Sequence, residues 1–340
     1  MSEDFSPFLK RVAGGEALDA EASARAFAAI MAGDVGEMQI AAFLTALAVR
    51  KPSVAEITGA ARAMRGAMKT VEAPSSAIDL CGTGGDGHGT LNISTAVSFV
   101  AAACGVPVAK HGNRNMSSRT GAADVLEALG VKIDLSPEAA SACLSETGLC
   151  FLFAQTYHPA MKHVAPVRRA LGFRTIFNLL GPLSNPARVR RQLMGVYAKE
   201  WLEPLAQVLG ALGAEKAWVV HGNDGLDEIT TTDFTHVAVL DVGRVTLRTI
   251  APEDAGLPRA TLADLKGGAA NENADAIRRL FDGERGPYRD IVLLNAAAAL
   301  IVAGKTNELR QGASLAAKAI DEGAAKRALE KLIALSNKPS

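Results

Sequence analysis

The chain has 340 residues, 49% of them apolar and 21% charged, a globular balance long enough for one large domain or two ordinary ones. Lysine plus arginine and aspartate plus glutamate number 36 each, so no global field draws the protein to nucleic acid or a membrane, and any anion site must be local. Cys81, Cys104, Cys143 and Cys150 form no CxxC and no metal-ligand spacing, and their apolar settings read as small buried side chains in a reducing cytosol. The opening MSEDFSPFLKR is acidic and polar before any apolar run, unlike a signal peptide, and the apolar run 291–303 is broken by Asn295 and too short to span a bilayer. A cytoplasmic protein is expected.

From Phe5 to Val71 apolar residues recur at helical spacing, through Phe8 and Val12, Phe27 and Ile30, Phe43 and Leu47, Ile57 and Met64. Breaks at Gly14–Gly15, Gly33 and Lys51–Pro52–Ser53 predict four helices, a small bundle over residues 1–72. After the linker 72–76 the pattern changes, and residues 77–340 form a second, larger unit. Short β-rich runs at 77–81, 106–109, 131–134, 150–153, 192–197 and 217–221 alternate with helical runs at 92–104, 121–129, 137–147 and 200–212. That alternation predicts an α/β fold with a central, largely parallel sheet, in which ligands sit beyond the carboxyl ends of the strands. The piece 158–188, punctuated by His158–Pro159, Pro166, Gly172, Gly181–Pro182 and Asn185–Pro186, is expected to return to the N-terminal helices over about 165–188. Two strands at 236–241 and 245–250 flank a hairpin signal at Val242–Gly243–Arg244, and the chain from Asn271 onward reads as helix.

The stretch DLCGTGGDGHGTLNIST, residues 79–95, is the centre of the sequence. Five of the eight residues from Gly82 to Gly89 are glycine, between an apolar strand and the helix that Asn92, Ser94 and Thr95 introduce. Glycines that take positive φ let successive N–H groups line a concave surface, and the helix that follows aims its free N–H groups and positive dipole end at the same spot. The alternative is a surface loop with an ordinary N-cap. Residues 82–87 match GxGxxG, but four residues intervene before the helix and the next strand leads to Lys110 rather than an acid, which argues against a dinucleotide site. No Gly-Lys-Ser/Thr triplet closes the turn, which excludes a Walker loop.

Lys110 to Ser118, KHGNRNMSS, is expected to follow the second strand and face the glycine turn, with Lys110 as a point charge for phosphate and Arg114 as a planar fork for phosphate or as a brace for the loop. Ser117 and Ser118 precede a second helix N-terminus at Gly121. Asp227 and Glu228, in HGNDGLDEIT after another strand, are the best candidates for Mg²⁺, which keeps most of its waters and bridges to phosphates, the other reading being a capped turn with solvated acids. Arg168 and Arg169 lie on the helical stretch VAPVRRALG, where an arginine can grip a carboxylate or pair with the N-terminal helices. His111 is a candidate for orienting substrate, with no proton transfer assigned to it.

Together GTGGDGHGTLNIST, KHGNRNMSS followed by TGAADVLEALG, HPAMKHVAPVRRALGFRTIFNLLGPLSNPA, HGNDGLDEIT and the N-terminal QIAAFLTALAVRKPS and ITGAARAMR resemble anthranilate phosphoribosyltransferases, in order and from about residue 8 to 335. The resemblance implies a helical domain on a larger α/β domain, as in the nucleoside phosphorylase and phosphoribosyltransferase folds, and homodimers formed through the helices. It implies transfer of phosphoribose from phosphoribosyl pyrophosphate (PRPP) to the amine of anthranilate, in tryptophan biosynthesis. Carried onto this chain, it makes Gly82, Gly85, Asp86, Thr90, Asn92, Ile93, Ser94, Thr95, Lys110, His111, Gly112, Asn113, Arg114, Asn115, Met116, Ser117, Ser118 and Ala122 the PRPP site. It makes Gly82, Asn113 and Arg168 anthranilate contacts, with His111 nearby, and Ser94, Asp227 and Glu228 the Mg²⁺ ligands.

The chain departs from the family pattern at Ala122, where serine is usual, so one hydroxyl contact is missing and only somewhat weaker binding is expected; Asn115 and Met116 replace the commoner Ser-Val. The implied mechanism has Mg²⁺ and the glycine turn neutralise departing pyrophosphate, oxocarbenium character develop at the ribose carbon, and the arylamine attack from the opposite face with inversion. Two rivals remain at this level. A pyrimidine nucleoside phosphorylase shares the architecture but has different phosphate signatures. A nucleic-acid-binding paralogue would need a basic face and a decayed glycine turn.

Overall fold

The computed structural model describes residues 4–114 and 120–338. Four N-terminal helices, α1 (Ser6–Ala13), α2 (Ala20–Ala32), α3 (Glu37–Arg50) and α4 (Val54–Gly66), occupy the predicted stretch. Asp19 caps α2 by accepting from Ala22 N–H at 2.8 Å, and Ser53 with Glu56 forms a reciprocal capping box on α4. Glu56 is fully buried, and its Oε1 also accepts from Leu18 N–H at 3.0 Å, joining the start of α2 to α4. Gly59 lets the two helices touch, since a Cβ there would sit 2.7 Å from Ala24 N.

The remainder is built on β1 (Ile78–Gly82), α5 (Ile93–Ala103), β2 (Val108–Gly112), α6 (Ala122–Leu129), α7 (Pro137–Thr147), β3 (Leu149–Phe153), α8 (Ala154–Tyr157), α9 (Ala165–Leu171), α10 (Phe177–Leu183), β4 (Arg191–Gly195), α11 (Leu202–Ala211), β5 (Lys216–Gly222), β6 (Thr235–Asp241) and β7 (Arg244–Ile250). Helices α12 (Ala270–Phe281), α13 (Pro287–Ala303), α14 (Leu309–Asp321) and α15 (Ala324–Ser336) complete the chain. The strands form a single seven-stranded sheet in the order β3-β2-β1-β4-β5-β6-β7. β3 through β5 in that order are parallel, and β6 and β7 are antiparallel. The β6–β7 turn is Val242–Gly243, both at positive φ (+43° and +80°), as the predicted hairpin requires.

Alternate residues of the central strands feed two cores, as the two-residue side-chain period dictates. Leu193, Trp218 and Val220 face α5 and α13, whereas Met194, Ala217 and Val219 face α11 and a cluster continuous with the N-terminal helices. Val164 and Val167 on or beside α9, and Phe177, Leu180 and Leu183 on α10, lie in that second cluster with the side chains of the N-terminal helices. No helix among the described residues is long and apolar enough to cross a membrane.

Two expectations are corrected. Residues 131–134 are not a strand: after the left-handed Gly130, Val131 N–H bonds back to Leu126 O and Lys132 N–H to Ser336 Oγ, while Val131 and Ile133 insert in the core. The alternation reflects a buried helix exit rather than a ladder. Lys110 and His111 do not follow the second strand but belong to it, paired in register with Phe151 and Leu152 of β3, and both are buried.

Candidate active site

The sheet order reverses at β1, which has β2 on one side and β4 on the other, so a crevice opens at the carboxyl ends of β1 and β4. Gly82 ends β1 directly opposite Gly195, which ends β4. The loop after β5 folds back over this pair. A side chain at Gly195 would collide with the backbone of Asp227, and a Cβ at Gly82 would sit 2.6 Å from Asp227 Oδ2. Close approach is therefore what requires these two glycines. Gly84, Gly85, Gly87 and Gly89 are required by conformation, with φ of +66°, +84°, +81° and +63°.

The left-handed run is the nest-forming geometry expected of a phosphate cradle. It is joined to the acidic loop: Gly84 N–H donates to Asp227 Oδ2 at 2.8 Å. Asp86 Oδ1 accepts from His88 N–H at 3.1 Å, closing the turn. Thr83 fastens the loop to β4, its N–H donating to Gly195 O at 2.9 Å and its Oγ1 accepting from Tyr197 N–H at 3.0 Å. On the far side Leu91 N–H donates to Leu265 O and Gly267 N–H to Gly89 O, each at 2.9 Å, and Thr90 bridges Lys266.

Asn92 precedes α5 without capping it; its Oδ1 accepts from Asn273 Nδ2 at 2.8 Å and its carbonyl accepts from the Tyr288 hydroxyl at 3.1 Å. Ile93 and Thr95 turn their side chains into the interior, so they offer a ligand only the free N–H groups of the first turn. Ser94 faces the acids: its Oγ accepts from Lys110 Nζ at 3.2 Å, and its backbone N–H pulls the Glu228 carboxyl down against the burial that raises it. Lys110 Nζ also donates to Leu80 O, so this cation is built into the floor of the crevice.

Asp227 and Glu228 lie deep in the crevice with only partial exposure. Burial first, then the charge of Asp86, pushes the Asp227 carboxyl up to about 7. Burial and the charge of Asp227 push Glu228 up to about 8, against the downward pull of Lys110. Crowded acids that hold their protons are groups that a cation would relieve. Among the described residues no cluster of three or more His, Cys, Asp or Glu side chains is arranged to hold a metal. Two carboxylates and a serine hydroxyl suit Mg²⁺, which keeps waters and shares substrate phosphates, better than a metal that needs a full protein cage. The donor set fits.

Elsewhere the geometry reassigns candidates. His111 is buried, its Nδ1 3.1 Å from Gly181 O and its Nε2 3.2 Å from His158 Nε2. Burial and the neighbouring His158 depress His111 to about 3, and burial depresses His158 to about 4, so both rings are neutral. Arg114 braces the loop, with Nη1 2.9 Å from Asp124 Oδ1, Nη2 2.7 Å from Glu127 Oε1, and its guanidinium 5.7 Å from the Phe153 ring centroid. Asn113 caps the same turn, its Oδ1 accepting from Arg114 N–H at 2.8 Å and its carbonyl from Ala123 N–H at 3.3 Å. Gly112 packs on Phe151, and the Ala122 methyl closes the other side. Arg168 is half-buried over the Phe177 ring at 5.6 Å and makes no hydrogen bond to Gly82 or Asn113 among the described residues. Asn115, Met116, Ser117 and Ser118 lie outside the described residues.

Sequence reasoning passed over Arg174. Its Nη2 donates to Gly85 O while the guanidinium stacks 4.3 Å over Tyr197, so the returning segment clasps the glycine loop. Its signal, a lone arginine in FRTIFN, gains meaning only once the segment is known to come back across the crevice.

The glycosyl transferase family models match this chain, the helical bundle domain over residues 6–68 and the a/b domain over 74–326. The anthranilate phosphoribosyltransferase of Parvibaculum lavamentivorans is 58% identical over 98% of both chains, and that of Rhodopseudomonas palustris strain HaA2 is 57% identical over 98% of both. Among solved structures, the anthranilate phosphoribosyltransferase of Thermus thermophilus superposes with a TM-score of 0.92 at 45% identity, covering 97% of this chain and 99% of that one. The Saccharomyces cerevisiae enzyme in complex with PRPP and Mg superposes with a TM-score of 0.89 at 27% identity, covering 98% and 97%. The chain belongs to the anthranilate phosphoribosyltransferase family.

Proposed function

We propose that this crevice binds PRPP and that the chain transfers its phosphoribosyl group to the amine of anthranilate, giving N-(5-phosphoribosyl)anthranilate and pyrophosphate in tryptophan biosynthesis. The observation that carries the reading is the hydrogen bond from Gly84 N–H to Asp227 Oδ2, which sets a phosphate cradle against an acidic pair in one crevice. Pyrimidine phosphorolysis would leave Asp227 and Glu228 without a task, and nucleic-acid binding would call for a basic face that the balanced charge does not supply.

In this reading the glycine-loop N–H groups and the N-terminus of α5 hold the pyrophosphate of PRPP, with Gly82, Gly85, Asp86, Thr90, Asn92, Ser94 and Thr95 around it. Asp227, Glu228 and Ser94 would hold Mg²⁺, which when bound neutralises charge on the leaving pyrophosphate. Lys110 holds Ser94 and draws Glu228 down from below. Arg168 faces the anthranilate carboxylate, and the neutral His111–His158 pair shapes the wall under α10 without moving a proton. Positioning and charge stabilisation supply the catalysis, and no general base is needed for an arylamine nucleophile. The domains are taken as 1–72 with the returning 165–188, and 77–340. A homodimer through the helices is supported by Met38 and Val49, both more than four-fifths exposed and eleven residues apart on one face of α3. A cytoplasmic setting accords with four unpaired cysteines.

The test is the loss of anthranilate fluorescence on adding PRPP and Mg²⁺. A decay that needs both, and that Asp227→Asn with Glu228→Gln largely abolishes, is the expected result. No decay from folded wild-type protein would overturn the assignment.

A further inference from the structure

Helix α13 is apolar and almost wholly buried from Ile291 to Val302, and Asn295 is the polar exception in that run. An amide in such a place costs free energy unless its hydrogen bonds are made. Here they are made to one residue of the acidic loop. Asn295 Oδ1 accepts from Ile229 N–H at 3.0 Å, and Nδ2 donates to Ile229 O at 2.8 Å and to Ile291 O of its own helix at 2.9 Å. The carboxamide thus grips the backbone of Ile229 from both sides, as a neighbouring strand would.

Ile229 directly follows Glu228, and its side chain is fully buried. Gly84 N–H holds Asp227 and Asn295 holds the peptide that follows Glu228, so the acidic pair is pinned from both sides. The same side chains converge on a cavity of about 10 Å³ lined by Ser94, Glu228 and Asn295. Stability of α13 alone would be served by alanine or leucine; an asparagine is required only if the loop must be held in place.

We infer that Asn295 is a positioning residue for the acidic pair, which it acts on through the backbone of Ile229 to set the affinity of the site for a divalent cation. The inference rests on the reading of Asp227 and Glu228 as metal ligands. Partners one bond removed from a metal ligand typically change metal affinity by about 10- to 100-fold when lost.

The test is Mn²⁺ binding to the full chain, without substrate or added pyrophosphate, read from the electron paramagnetic resonance of free Mn²⁺, so that no chelator competes and no turnover is involved. Four proteins are compared: wild type, Asn295→Ala, the Asp227→Asn/Glu228→Gln double variant, and Leu332→Ala, which removes a buried side chain of α15 as a control for general loss of stability. Expected are tight binding by wild type, little by the double variant, about tenfold weaker binding by Asn295→Ala, and wild-type affinity for Leu332→Ala. Wild-type affinity in Asn295→Ala, with the double variant impaired, would overturn the inference and leave the metal reading intact. Wild-type affinity in the double variant would overturn the metal reading itself. Equal weakening in Leu332→Ala would reduce Asn295 to a stabilising role and overturn the inference. Should Asn295→Ala fail to fold, the Ile229 amide of wild type decides: exchange as slow as that of α13 supports the clamp, and exchange at the rate of an open loop refutes it.

Discussion

At the scale of single residues, the glycines around the crevice divide by physical cause, and the two causes predict different costs. Gly84 has φ +66° and open space where a Cβ would stand, so alanine there meets only left-handed strain, about 1–2 kcal/mol. Gly195 is in the extended strand β4, yet any side chain would strike the Asp227 backbone. Gly195→Ala is therefore expected to displace the acidic loop and cut the rate by at least about 100-fold, as misplacement of catalytic groups does, whereas Gly84→Ala keeps a rate within about tenfold of wild type if it costs only strain. Steady-state rates of the two variants at saturating Mg²⁺ check this, and equal losses would contradict it. The glycine turn was legible because glycines clustered between a strand and a helix mark a backbone that must take positive φ. Gly195 was not, because a lone glycine ending a strand carries no mark of what folds over it, and Asp227 is 32 positions away in the chain.

At the scale of elements, His111 of β2 meets α10 through Gly181 O and the end of α8 through the ring of His158; the sequence presented the two histidines as a substrate-orienting ring and a piece of loop punctuation. Both rings are buried and neutral, with pKa values lowered from 6.5 to about 3 and about 4. A depressed folded-state pKa means the unfolded chain takes up protons first, so stability is full above about 6.5 and is lost as pH falls toward the folded values. For His158 the loss between pH 7 and pH 5 comes to about 2 kcal/mol. Asp227 and Glu228 push the opposite way: their raised values add stability below about 4 that is lost as pH rises through about 7 and about 8. The histidine contribution must therefore be read as a difference. Urea unfolding at pH 7 and pH 5 is expected to show His158→Gln losing about 2 kcal/mol less than wild type over that interval, and parallel losses would show that His158 titrates normally. Helix and strand positions were largely legible from apolar periodicity, whereas 131–134 misled because a buried helix exit alternates like a strand, and β2 ran on through Lys110 and His111 because their polar ends find partners inside.

At the scale of the whole molecule, the crevice is a place where the fold accepts instability for the sake of binding. Three carboxylates, Asp86, Asp227 and Glu228, act on one another there, and the N–H groups of Gly84 and Ser94 with the charge of Lys110 offset only part of the cost. The sequence showed that an acidic pair follows a strand. It could not show that the pair is sunk beside a third acid, because that depends on the sheet order bringing β1, β4 and β5 side by side. Replacing the pair by Asp227→Asn and Glu228→Gln keeps the shape and the Gly84 hydrogen bond while removing two unfavourably placed charges. At pH 8 without metal, this variant is expected to be more stable than wild type by at least about 2 kcal/mol, since each raised carboxyl is worth about 1.4 kcal/mol per pH unit. Adding Mg²⁺ with pyrophosphate should raise the melting temperature of wild type by mass action and leave the variant almost unmoved. Differential scanning calorimetry under the two conditions checks both halves: a variant less stable than wild type without metal would mean the acids are already compensated, and an equal metal-induced rise in both would place the cation elsewhere.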